Sequence, residues 1–235
     1  MNSVYNGIDM NKKHILILGG MGPQASVYAH SLLLKVVAQQ NINPSNEEYP
    51  RITHLSLNVK DFITDPERKD EALEYINQSL SEVNTSTVTD AFIACNTAHL
   101  LLTEIEQSSG LKFTSLIDVA EKFVSNNDEI NVVGLLATPS TLKSGLYSDR
   151  LKNMVQLVEP DAESSATIDH IIRDVISGED NLVAANELKK EIFKLIARGS
   201  QRIILGCTEL SLLGSYLDED MIIDPLSLTV KELLR

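Results

Sequence analysis

The sequence predicts an α/β fold of two pseudo-symmetric, Rossmann-like lobes, each on a parallel sheet, with a site in the cleft between them. Three observations carry that expectation. Short apolar runs alternate with longer segments of helical character along the chain, the pattern of parallel strands joined by helices. The series starts again near the midpoint. The chain's two cysteines, Cys95 and Cys207, each follow an apolar run and are followed by threonine at once or one residue later. Val132 follows Ile15 by 117 positions and Cys207 follows Cys95 by 112, offsets alike enough to suggest an internal duplication. The expected division is a first lobe of residues 13–115 plus 213–235 and a second lobe of 116–212. Residues 1–12, polar and without a periodic pattern, form an N-terminal extension in this division.

The elements follow in order. Residues 14–18, apolar after His14, end at Gly19-Gly20, as expected of a strand buried on both faces of a parallel sheet. Pro23 suits the first turn of a helix, where its missing N–H costs nothing, and that helix should reach about Gln40. A polar loop over 41–50 leads to a second strand over 52–57. Asp65-Pro66-Glu67 opens a helix, with Asp65 as N-cap and Glu67 favourable to the dipole. Residues 90–94 form a third strand with Cys95 at its C-terminal end, and 98–107 continue as helix. In the second half, 131–136 is an apolar strand ending in Ala137-Thr138-Pro139-Ser140. Helices are predicted over 142–152, 162–176 and 182–198, and the strand 201–205 leads to Cys207. A short strand at 221–224 precedes a closing helix from Pro225.

Composition narrows the function. The chain has 235 residues, 43% of them hydrophobic and 23% charged, ordinary values for a globular protein. A net charge of −13 argues against a nucleic-acid partner and against docking on an anionic membrane, since both need clustered Lys and Arg. A small anionic substrate remains compatible, because backbone N–H groups and helix N-termini make a locally positive pocket. Two cysteines are a poor disulfide framework for this length, so both are expected as thiols in a cytoplasmic protein. The first eleven residues lack the apolar core of a signal peptide, and no apolar run approaches a membrane span.

A lone cysteine after an apolar strand is ordinarily a small buried hydrophobe. Here the neighbours Asn96-Thr97 and Thr208-Glu209 are polar where a core would continue apolar. Each cysteine also precedes a predicted helix N-terminus, an environment expected to lower a thiol's pKa. Two matched thiols at strand C-termini, where open α/β sheets bind ligands, suit a reaction that needs one proton-transfer group on each face of a substrate. His99, four residues after Cys95, is read either as tuning that thiol or as making a structural bond. Glu209 is read either as a first-turn helix charge or as a polar support for Cys207. Gly19-Gly20-Met21-Gly22-Pro23-Gln24 is neither a dinucleotide fingerprint nor a P-loop, so no nucleotide cofactor is expected. The five histidines show no metal-ligand spacing, and no metal is expected.

Four blocks together carry a resemblance: Gly19-Gly20-Met21-Gly22-Pro23; Cys95-Asn96-Thr97-Ala98-His99; Ala137-Thr138 with Ser144-Gly145-Leu146-Tyr147; and Gly206-Cys207-Thr208-Glu209. In this order they resemble the signature blocks of the aspartate/glutamate racemase family, and the first block is similar to its aspartate branch. The resemblance implies a cofactor-independent racemase of an acidic amino acid, aspartate first, that forms a homodimer. It implies Cys95 and Cys207 as the catalytic thiols. It implies Met21, Gln24, Asn96, Thr97, Thr138 and Thr208 as substrate-binding positions. One departure concerns the substrate's side chain. Some aspartate racemases grip the distal carboxylate with an Arg after the second strand and a Lys in a later helix. Here residues 58–64 contain no Arg, and Ile176 stands near the Lys position. Lys60, Arg68, Lys143 and Arg173 are the candidate replacements, each equally readable as a surface charge. Glutamate or broad-specificity racemisation, isomerisation or decarboxylation of a dicarboxylic acid, and amino-acid binding without catalysis are the alternatives.

Overall fold

The computed structural model describes residues 12–40, 44–60, 62 and 65–235. Most of the expected N-terminal extension, residues 1–11, lies outside them. Two parallel sheets organise the chain. In the first, β1 (His14–Gly19) runs between β2 (Arg51–Ser56) and β3 (Asp90–Ile93), giving the order β2-β1-β3. In the second, β4 (Val132–Leu136) runs between β5 (Gln156–Val158) and β6 (Arg202–Leu205), and β7 (Ile222–Ile223) is added outside β6. The three-strand orders correspond, so Cys95, just past β3, and Cys207, just past β6, occupy equivalent places.

Helices cover both faces of each sheet, which is why the central strands are apolar apart from His14 at the start of β1, whose ring nitrogens meet Thr87 and Thr53. On the first sheet, Leu16, Leu18 and Ile93 pack with Ala72 and Ile76 of α2 (Lys69–Ser81) and Ile105 of α3 (Leu102–Ser109). On its other face, Ile15, Ile17 and Phe92 pack with Leu33 of α1 (Pro23–Gln40) and Leu226 and Val230 of α9 (Pro225–Leu233). Pro23 and Pro225 both stand at the first turn of their helices, as their fixed φ favours. On the second sheet, Leu136, Ile203 and Leu205 pack against α7 (Ala162–Ser177) and α8 (Asn181–Ala197), whose N-caps Asp161 and Asp180 accept from Ser164 and Leu182 backbone N–H groups. The opposite face receives α4 (Leu116–Ser125).

Helix α4 joins the two halves. Its N-cap Ser115 accepts from the Asp118 N–H. Leu116 belongs to the core of the first lobe, whereas Ile117, Ala120 and Val124 belong to that of the second.

Several expectations change. The predicted helix over 142–152 is broken into α5 (Pro139–Ser144) and α6 (Ser148–Leu151), because Gly145 ends α5 in the left-handed region at φ 76°. The segments after both cysteines open as 3-10 turns, Thr97–Leu101 and Leu210–Tyr216. Within 213–235, grouped above with the first lobe, β7 pairs in parallel with β6 of the second sheet, Ile203 opposite Ile222. Among the described residues, no helix is long and apolar enough to cross a membrane.

Candidate active site

The C-terminal ends of β1, β3, β4 and β6 meet around one cavity of about 480 Å3. Both lobes supply its wall: Cys95, Asn96 and Thr97 from the first, Thr138, Cys207 and Thr208 from the second. Cys95 and Cys207 are 4% and 7% exposed, enough to face the cavity and too little to meet bulk water. The strand ends place them. Ala94 N–H donates to the Leu18 carbonyl and Gly206 N–H to the Leu136 carbonyl, carrying each ladder up to the residue before the thiol.

Hydrogen bonds across the cleft fix the polar side chains between the lobes. Tyr147 Oη donates to Asn96 Oδ1 at 2.5 Å. Burial pushes the Tyr147 phenol well above its ordinary pKa, which keeps it a neutral donor. The Asn96 amide is thereby oriented, and its Nδ2 is buried with no hydrogen-bond partner among the described residues. An unsatisfied buried donor costs about 1–3 kcal/mol, so this group is held ready for an acceptor in the cavity. Thr97 Oγ1 lies 2.9 Å from Thr141 Oγ1, to which Thr138 Oγ1 donates at 3.1 Å. Thr208 Oγ1 is 3.3 Å from the Ala94 carbonyl.

The glycine-rich loop after β1 closes over the second thiol's neighbour. Gly20 has φ 92°, and a Cβ there would fall 2.1 Å from the Leu57 carbonyl oxygen. Gly22 has φ 76°, and a Cβ there would fall 1.6 Å from Glu209 Oε1. Gly20 therefore requires glycine on two counts, conformation and backbone space, and Gly22 on conformation, with the Glu209 carboxylate in the space beside it. Glu209 also lines the cavity, and its Oε2 accepts from the Cys207 thiol at 2.8 Å.

The electrostatics correct the expectation of a lowered thiol pKa at Cys207. Burial pushes this thiol well above its ordinary value, and the Glu209 carboxylate and then Cys95 add to the rise. A short 3-10 turn offers too little dipole to offset them. Burial likewise raises Glu209 above the usual carboxylate range, against the opposing hydrogen bonds from Cys207, its own backbone and Thr208.

Two expected site residues lie off the wall. Gln24 donates through Nε2 to the Ile176 carbonyl, tying the start of α1 to the end of α7. His99 resolves to the structural alternative. Its Nδ1 lies 2.9 Å from the Cys95 carbonyl and 3.2 Å from that of Asn96, and its Nε2 accepts from the Leu116 N–H at 3.0 Å. Burial depresses its pKa, so the neutral ring clamps the Cys95 loop to the start of α4. Met21 does line the cavity. Of the four candidate cations, Lys60 and Arg173 line it, whereas Arg68 and Lys143 do not. Lys60 is ion-paired with Glu71, and Arg173 Nε with Asp169 Oδ2 at 2.8 Å.

Residues absent from the site expected on sequence grounds include Tyr147, Thr141 and an apolar wall of Val59, Phe62, Ile172 and Ile176. Tyr147 had a readable signal, an aromatic among polar residues in a chain with only 5% aromatics. For the apolar wall the signal was indirect: the absence of Arg over 58–64 and Ile176 near the Lys position marked these segments, while Ile172 had none.

Fold and site together define a class: a two-lobed α/β protein that presents one buried thiol from each lobe to a shared pocket of mixed polar and apolar lining. The chain resembles the broad specificity amino-acid racemase RacX of Bacillus subtilis, at 24% identity over 87% of this chain and 89% of that protein. Among solved structures, the Picrophilus torridus aspartate racemase superposes with a TM-score of 0.77 at 22% identity, covering 94% of this chain and 93% of that one. A glutamate racemase from Francisella tularensis gives 0.60 at 18% identity, over 95% of this chain and 80% of its own. The Asp/Glu/hydantoin racemase family profile matches residues 18–233, and the chain belongs to that family.

Proposed function

We propose that the protein racemises a small amino acid, aspartate first, by two-thiol transfer of the Cα proton and without a cofactor. The observation that carries this reading is the pair Cys95 and Cys207, delivered from equivalent strand ends to one cavity. One thiolate removes the Cα proton from one face while the opposite thiol returns a proton to the other. For the reverse reaction the roles exchange, which suits two like groups on duplicated lobes. The Cα–H of an amino acid is a weak acid, so donors aimed at the developing charge on the carboxylate are needed; each such donor is worth about 3–4 kcal/mol. Asn96 Nδ2, buried and unpartnered, is assigned that role, with the hydroxyls of Thr97, Thr138 and Thr208 holding the substrate's other polar groups.

Aspartate is favoured by the wall cations Arg173 and Lys60, whose ion pairs with Asp169 and Glu71 a substrate side-chain carboxylate would join. A specific observation supports a second reading. Val59, Phe62, Ile172 and Ile176 line the same cavity and would accept a neutral side chain, consistent with likeness to a broad-specificity relative. Chiral chromatography of aspartate, glutamate, alanine and leucine incubated with the purified protein, without pyridoxal phosphate or added metal, tests both. Inversion of aspartate ahead of the others supports the first reading. Inversion of the neutral amino acids with little of aspartate would replace it by the second. No inversion of any would sink racemisation.

A further inference from the structure

We infer that Glu209 is the internal proton acceptor of Cys207, so that the second thiol becomes a base by passing its proton to a neighbouring carboxylate. The inference rests on the two-thiol reading above and adds a residue that acts through one of the thiols. Geometry carries it. Glu209 Oε2 lies 2.8 Å from the Cys207 sulfur and 3.4 Å from Thr208 Oγ1. The other oxygen occupies the space beside Gly22 that a Cβ there would fill, so the carboxylate lies between the glycine loop and the thiol. Glu209 is 4% exposed, a placement that desolvation makes unfavourable for a carboxylate. The equivalent position two residues after Cys95 holds Thr97, whose hydroxyl meets Thr141. The duplication therefore breaks at this point.

The step balances within the pair. The S–H bond of Cys207 breaks, its electron pair stays on sulfur, and an O–H bond forms on Glu209 Oε2. The pair carries one negative charge before and after. Loss of the same proton to solvent would instead leave two anions side by side in a buried site, which both desolvation and repulsion oppose. The thiolate then removes the Cα proton and becomes S–H, while Cys95 gives its proton to the opposite face and is left as thiolate. Glu209 releases its proton to solvent and Cys95 regains one before the next cycle, or the thiolate of Cys95 begins the reverse reaction. The charged groups that shift Cys207 are Glu209 and Cys95, neither of them a cation. Burial makes Glu209 a stronger proton acceptor than an ordinary carboxylate.

The pH profile distinguishes this role from a packing role, because internal transfer makes the thiolate population independent of pH once Glu209 is ionised. Two profiles are measured on the full chain: kcat/KM for the amino acid it racemises, and the rate of iodoacetamide labelling of Cys207 read by peptide mass spectrometry. Wild type is expected to show a plateau across the neutral range in both. Glu209→Gln is expected to lose the plateau and climb about tenfold per pH unit, since its thiolate forms only by release of a proton to solvent. Glu209→Asp, which keeps a carboxylate, is expected to restore it. A Glu209→Gln profile that parallels wild type overturns the inference. If Glu209→Gln does not fold, the wild-type labelling profile decides alone, and a tenfold climb per unit there overturns it. Labelling needs no substrate, so failure of this inference is separable from failure of the racemase reading.

Discussion

The two thiol loops stand at equivalent strand ends and are built by different means. The Cys95 loop is fixed around the thiol: His99 holds the carbonyls of residues 95 and 96, and Tyr147 and Thr141 reach across from the other lobe to the side chains of Asn96 and Thr97. The Cys207 loop is fixed through a side-chain carboxylate that touches the sulfur itself and is backed by Gly22. The strand frame, β2-β1-β3 against β5-β4-β6, is thus the shared part, and the chemistry around each sulfur is local. Symmetry suits a reaction that runs equally in both directions, while the difference places a carboxylate on the sulfur of Cys207.

The largest expected effect comes from removing either side of the comparison. Cys95→Ser and Cys207→Ser should each lower kcat/KM by about 1,000-fold or more, with circular dichroism unchanged. Near-full turnover in either variant would reduce the site to one working thiol. Next, Tyr147→Phe should leave Asn96 Oδ1 without its donor and let the amide reorient. Urea denaturation should show a loss of about 1–3 kcal/mol, accompanied by a raised KM. An unchanged KM would mean that Asn96 does not hold substrate.

A smaller effect sharpens the role of His99. Its folded-state pKa lies below the unfolded value, so on acidification the unfolded chain takes up a proton before the folded one does. Its contribution is therefore lost as pH falls below about 6.5, by at most about 1.4 kcal/mol per pH unit. His14 and His54, also depressed by burial, act in the same direction. His99→Gln should flatten this acid loss in denaturation curves between pH 7 and 5, and an equally steep loss would remove His99 as a cause. The smallest effect is a contrast of cations. Arg173→Ala should change the preference between aspartate and neutral amino acids, whereas Arg68→Ala, off the wall and paired in solvent with Asp65, should not. Equal preference in both variants would take Arg173 out of side-chain recognition.

How far the sequence revealed this site depends on which interactions are local. Strand β1 was legible because, after His14, four consecutive apolar residues buried on both faces run up to Gly19. The cysteines were legible because polar residues interrupt the apolar pattern directly after them. Helix α4 was overlooked although Ser115 and Asp118 mark its start; it is short, and its apolar residues divide between two cores. Strand β5 has three residues at a sheet edge, too few for a pattern. The pairing of β7 with the second sheet depends on the path through the 3-10 turns after Cys207. Gln24 stands in the right loop, but its side chain turns to the Ile176 carbonyl, a contact 152 residues away that no local pattern encodes. The Cys207–Glu209 contact, by contrast, spans two residues; its identity was visible and its consequence for the thiol needed the burial.

The central claim is that two groups, one on each face, move the Cα proton. Proton NMR and chiral analysis of L-aspartate at early turnover in D2O test it most directly. The account predicts D-aspartate that carries deuterium at Cα, alongside remaining L-aspartate that still carries its proton. D-aspartate that retains the original Cα proton, or L-aspartate that gains deuterium as fast as it inverts, would contradict it, because one group would then serve both faces.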